Sequence, residues 1–138
     1  MSGLVLDCSV ALTWCFDDEA SAEGDVVLDR VRDEGALVPA LWHLEVANVL
    51  VQAERRKRLT RDELATFLAL LAQLPIMIDD ETARRAWHEI SDIARSEGLS
   101  AYDAAYLELA ARRALPLATK DRALSDAAAR LGIVRVLV

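Results

Sequence analysis

The stretch GLVLDCSVAL, residues 3–12, sets the reading of everything that follows it. Leu4, Val5 and Leu6 form a continuous apolar run of the kind that parallel sheets bury on both faces. Asp7 ends that run, and Ser9 follows two positions later. A carboxylate at a strand tip, where a core should be closing, gains a purpose if other carboxylates are brought to the same place. The rest of the chain is therefore read for acids at element ends and on apolar helices.

The bulk numbers bound the answer. With 138 residues, 54% hydrophobic and 28% charged, the chain is expected to be one domain, 1–138, with a core of its own. A net charge of -7 gives little long-range attraction for nucleic acid, so any such binding must be local or metal-assisted. Cys8 and Cys15 are too few for a structural zinc site, which takes four ligands, and no disulfide framework is expected. The N-terminal apolar run carries no preceding Lys or Arg and is interrupted by Asp7, unlike a signal peptide. No stretch approaches the ~20 apolar residues of a membrane span. A soluble, cytoplasmic protein with no membrane partner is expected.

Strand-like and helix-like segments alternate along the chain. Val5–Asp7, Ala36–Val38, Ile76–Ile78, Leu117–Thr119 and Val134–Leu137 read as strands. Helices are expected over Asp18–Asp33, stopped by Gly35, and over Leu41–Arg58, whose basic end suits the negative pole of the helix dipole. Thr60 and Glu63 fit a capping box, ahead of a buried face of Leu64, Phe67, Leu68 and Leu71. Asp80 is expected to cap a helix to about Ser96, closed by Gly98; Ser100 opens AYDAAYLELAARR, and Leu124–Leu131 is the last helix. The alternation implies an α/β fold: a short parallel sheet of about five strands between helices, with ligands beyond the carboxyl ends of the strands where their order reverses.

Four acids then stand out. Asp7 ends the first strand, and Asp121, just after Thr119, follows the fourth. Asp121 serves equally as a helix N-cap or as a pocket acid. Glu45, Asn48 and Gln52 share one stripe of an otherwise apolar helix, which faces either solvent or a cleft. Asp103 sits three residues after Ser100, a capping-box position, yet its side of the helix continues through Leu107 and Ala110, where a charge needs a partner. Two carboxylates about 4 Å apart repel by roughly 4 kcal/mol at an effective dielectric near 20, so a cluster of four takes up protons or a cation. Hard oxygen ligands select Mg²⁺ or Mn²⁺. His43 and His88 have no metal-ligand spacing with cysteine or each other and read as surface or packing residues.

In order and spacing, LVLDCSVAL, LEVANVL, LSAYDAAYLELA and LATKDRAL resemble the PIN domain, and within it the VapC-type ribonuclease toxins of bacterial toxin–antitoxin pairs. The resemblance spans essentially the whole chain. It implies a metal-dependent endoribonuclease whose acidic pocket is Asp7, Glu45, Asp103 and Asp121, holding Mg²⁺ or Mn²⁺. It also implies that Ser9 and Thr119 help position the metal or its waters, with Asn48 orienting Glu45. It further implies RNA as substrate, a homodimer, and silencing by a cognate antitoxin. Lys120 and Arg122, flanking Asp121, are expected to contact phosphate. Arg55 to Arg58, Arg112 and Arg113 read better as solvated helix ends, and Trp14 and Trp42 better as core than as base-stacking platforms. Asp126 is left on the surface.

Two other readings compete. A receiver-like phosphoacceptor domain also sets acids at strand ends beside a Thr and a Lys, and would use Asp79 or Asp80, provided these end a middle strand. A non-catalytic protein-binding module is the third. A haloacid-dehalogenase-like phosphatase would want a second Asp where Ser9 stands.

Overall fold

The computed structural model describes residues 3–138. Five parallel strands, β1 (Leu4–Leu6), β2 (Ala36–Val38), β3 (Ile76–Ile78), β4 (Leu117–Thr119) and β5 (Arg135–Leu137), form one sheet in the order β3-β2-β1-β4-β5. Eight α-helices connect and flank them: α1 (Cys8–Ala11), α2 (Ala22–Glu34), α3 (Trp42–Arg55), α4 (Arg61–Gln73), α5 (Thr82–Arg85), α6 (Ser91–Glu97), α7 (Ala101–Arg113) and α8 (Arg122–Arg130). The expected α/β architecture of a short parallel sheet among helices is what the chain adopts.

Burial follows strand order. Leu4, Val5 and Leu6 of the central strand are fully buried, as are Leu117 and Ala118 of β4. Burying each large aliphatic side chain contributes roughly 1.5–3 kcal/mol. The edge strands behave oppositely: Met77 and Ile78 of β3 and Leu137 of β5 are exposed. The chain leaves β1 toward β2 and β3 on one side, then crosses back to β4 and β5 on the other. Its reversal point therefore lies between β1 and β4, with Val5 opposite Leu117 and Leu6 opposite Ala118. The crevice at that reversal is where such sheets bind ligands.

Local chemistry sets the element ends. Gly35, at φ 82°, closes α2 and turns the chain into β2, a conformation that L side chains adopt only with strain. Thr60 and Glu63 form the expected capping box on α4. Other expectations are corrected. The helix expected from Asp18 begins at Ala22, because Ser21 Oγ accepts from Gly24 N at 2.9 Å; Asp17–Glu19 is a separate 3₁₀ turn. Asp80 caps nothing: Glu81 occupies the N-cap of α5, and Asp79 accepts from its amide at 3.3 Å. The helix expected to follow is interrupted by a π turn at Ala86–Ile90, where the Ala86 carbonyl accepts from Ser91 Oγ at 2.6 Å. On α4 only Phe67 is fully buried and Leu68 is exposed, because the helix lies at the rim of the core.

Candidate metal centre

Asp7 is the N-cap of α1 and lies in the crevice between β1 and β4, 6% exposed. Its Oδ2 accepts two hydroxyls, Ser9 Oγ and Thr119 Oγ1, each at 2.7 Å. Both hydroxyls are used twice. Ser9 Oγ also accepts from Lys120 N at 3.0 Å, and Thr119 Oγ1 from Asp121 N at 3.0 Å. The backbone after β4 is thereby fastened to the tip of β1. Ser9 and Thr119 hold the Asp7 carboxylate by one oxygen and leave the other for a different partner.

Glu45 comes to the same place from the first turn of α3. One ligand atom each from Asp7, Cys8 and Glu45 lies within 4.8 Å of the others. Glu45 Oε1 accepts from the hydroxyl of Tyr106, a fully buried residue of α7. Asp103 lies one turn before Tyr106 on the same helix. Ser100 Oγ accepts from Asp103 N at 3.1 Å, but the reciprocal bond of a capping box is absent among the described residues, so the Asp103 carboxylate stays available. Asp121 caps α8 with Oδ1, which accepts from Leu124 N at 3.0 Å. Asp121 is thus a cap by one oxygen, and its second oxygen has no hydrogen bond among the described residues.

The acids act on one another electrostatically. Burial raises the Asp7 carboxyl above its ordinary value; the Thr119 and Ser9 hydroxyls pull it back and the Asp121 charge adds to the rise. Burial also raises Glu45, opposed by Tyr106 and assisted by the Asp7 and Asp103 charges. Asp103 rises by burial and by the charges of Asp121 and Asp7. All four acids thus share one field, with Asp7 and Glu45 in its tight centre. The Cys8 thiol is pushed up by burial and by the three carboxylates Asp7, Glu45 and Asp103, which keeps it neutral. The charged donor set is therefore oxygen, and carboxylate oxygens that repel one another fit a hard divalent cation.

Carboxyls raised in the folded state bind protons that the unfolded chain has already lost. The stability they contribute is present at acid pH and is lost as pH rises above their ordinary values, 3.8 for Asp and 4.5 for Glu, through the raised ones. A cation must displace those protons. Mn²⁺ affinity is thus expected to strengthen with pH across that window, with proton release that shrinks toward neutrality. Calorimetric titrations in two buffers of different ionisation enthalpy test this, and pH-independent binding would contradict it.

The remaining candidates fall less centrally. Asn48 is exposed and its Oδ1 accepts from Gln52 Nε2 at 3.4 Å. It makes no hydrogen bond to Glu45 among the described residues; Glu45 accepts from the Tyr106 hydroxyl. Lys120 is held by its amide at Ser9, and its Nζ lies 3.8 Å from Glu19. Arg122 is exposed at the start of α8, and Asp126 is exposed. Trp42 is buried, and Trp14 donates from Nε1 to Gly24 O at 2.9 Å, which suits structural roles. His43 and His88 are both exposed.

A second acidic group, Asp79, Asp80 and Glu81, follows β3. Asp79 and Glu81 are already ion-paired. Arg112 reaches Asp79 at 2.7 Å, Glu108 at 2.9 Å and Glu81 at 3.2 Å, while Arg84 and Arg85 also pair with Glu81. These guanidinium groups hold the Glu81 carboxyl down to about 2. β3 is an edge strand and Asp79 is paired and buried, so the condition that a receiver-like reading sets for its phosphoacceptor is not met. No helix among the described residues is long and apolar enough to cross a membrane.

Tyr106 and Cys8 are the site residues that sequence reasoning missed. The signal for Tyr106 was its three-residue spacing from Asp103, which sets both on one side of α7. Comparison with known proteins agrees with the fold. The family model described as PIN domain matches residues 4–130. The crystal structure of PAE2754 from Pyrobaculum aerophilum superposes with a TM-score of 0.68 at 22% identity, covering 98% of this chain and 90% of that one. No curated protein matches the chain.

Proposed function

This chain belongs to the PIN domain family, generally metal-dependent nucleases, and on that premise we propose that it is an endoribonuclease using Mg²⁺ or Mn²⁺, the toxin of a VapC-type toxin–antitoxin pair. The observation that carries the reading is the convergence of Asp7 and Glu45, from distant parts of the chain, at the β1/β4 reversal with Asp103 and Asp121 in the same field. Asp7, Glu45, Asp103 and Asp121 would hold the cation. When bound there, a divalent ion supplies Lewis-acid polarisation of a phosphate and lowers the pKa of water.

The chain's own residues do the rest. The Ser9 and Thr119 hydroxyls hold the Asp7 carboxylate through Oδ2. The remaining oxygen of Asp121 serves as a ligand or as a proton acceptor for the attacking water. Lys120 and Arg122, beside Asp121, provide the positive charge that draws a phosphodiester to an otherwise acidic surface. RNA as substrate, a cognate antitoxin that covers the pocket, a homodimeric state and a cytoplasmic site of action complete the proposal.

The test is cleavage of a mixed cellular RNA pool by purified protein with Mn²⁺, with chelator, and with the Asp103→Asn variant. Discrete fragments that appear with Mn²⁺ and disappear with chelator and in the variant are expected. Fragments that persist in chelator would sink the metal mechanism. An uncut pool beside folded, Mn²⁺-bound protein would favour the protein-binding module.

A further inference from the structure

Tyr106 is fully buried on α7, and its hydroxyl donates to Glu45 Oε1 on α3. A buried phenol needs an acceptor, and many backbone carbonyls could serve. This one is spent on a carboxylate 61 positions away in sequence, in the acidic pocket. Glu45 is otherwise a half-buried side chain in the first turn of α3. Carboxylates that hold metals are themselves held by hydrogen bonds, and loss of such partners costs about 10–100-fold in metal affinity.

We infer that Tyr106 is a positioning residue: it locks the Glu45 carboxylate toward Asp7, so that α7 contributes to the pocket twice, directly through Asp103 and indirectly through Glu45. The inference rests on the reading of Glu45 as a metal ligand. The phenol leaves Oε2 and the second lone pair of Oε1 free to face a cation. The same contact ties α3, which carries Glu45, to α7, which carries Asp103.

Tyr106→Phe removes the hydroxyl and keeps the ring. Mn²⁺ affinity, measured by calorimetry on Tyr106→Phe, Glu45→Gln and the double variant, separates positioning from packing. Tyr106→Phe is expected to weaken Mn²⁺ binding about tenfold in the native background and less than about twofold in the Glu45→Gln background. An equal loss in both backgrounds would show loosened packing and overturn the inference. So would an unchanged affinity in Tyr106→Phe while Glu45→Gln weakens binding, which leaves the proposed ligand set intact. Glu45→Gln without effect would remove Glu45 from that set and the inference with it. A measurement on the native protein does not depend on the variant folding. With ¹³C-labelled tyrosine, the phenol carbon of Tyr106 is expected to shift on Mg²⁺ addition while exposed Tyr102, the second of the chain's two tyrosines, stays still. A silent Tyr106 in Mg²⁺-bound protein overturns the inference.

Discussion

Asp7→Asn is expected to remove metal-dependent RNA cleavage while leaving the melting temperature of the metal-free protein unchanged or higher. The substitution is nearly isosteric. The Asn side-chain oxygen can still accept from Ser9 and Thr119, so the fastening of β4 to β1 survives. What is lost is a negative charge at 6% exposure, in a field shared with three other acids. Without bound metal that charge is a burden, since burial already drives Asp7 toward its protonated form. On the proposed reading it is a ligand when metal is bound, and its amide replacement turns a donor toward the cation. The loss of cleavage should be at least roughly 100-fold, because groups one bond further from a metal already cost about 10–100-fold. Thermal melts with and without Mn²⁺, beside the cleavage assay, check both halves. A variant that cuts RNA as well as the native chain would remove Asp7 from the chemistry.

Arg112→Ala should be the most destabilising change at a charged position. Asp79 and Glu108 have side chains only 3% and 6% exposed, and Arg112 is the partner both share. Surface ion pairs contribute about 0–1 kcal/mol, but a buried pair that loses one member leaves an uncompensated charge at a cost of about 3–5 kcal/mol. Here one deletion strands two carboxylates. The network also joins the end of β3 to α5 and α7. Urea denaturation should show a lower midpoint at unchanged slope. Combining Arg112→Met with Asp79→Asn and Glu108→Gln should recover much of the loss, because apolar or neutral replacements of a whole buried network are tolerated. A loss below about 1 kcal/mol in Arg112→Ala would mean that water reaches these groups.

Much of this was legible in the sequence because it is local. The apolar run of β1, the capping box of Thr60 and Glu63, and the terminating glycines Gly35 and Gly98 each act over a few residues, and each does as expected. Asp7, Ser9 and Thr119 could be placed at strand ends for the same reason. What required the structure is whatever depends on which strands are neighbours. No local pattern states that β4 lies beside β1, yet that adjacency makes Thr119 a partner of Asp7. Helix α1 and the 3₁₀ turn after it were unreadable because each is only three or four residues long, too short to show a period. Arg112 read as a solvated helix end because its charge matches that role, and only the position of Asp79 reveals otherwise. The resemblance implied Asn48 as the orienter of Glu45, and among the described residues Asn48 bonds Gln52. The hydrogen bond that Glu45 does make crosses to α7, and spacing within α3 carries no information about it.

The bond from Thr119 to Asp7 closes a loop of 112 positions. Synthesis is vectorial, at about 5–20 residues per second, and contacts this distant form late. A nascent chain exposes Asp7 early, then Glu45, then Asp103, but the clasp on Asp7 exists only after β4 has emerged and paired with β1. A chain released before Thr119 lacks a central strand as well as the clasp, so neither fold nor pocket can form. Products that stop short of Thr119 therefore carry the early acids without the strand that gathers them.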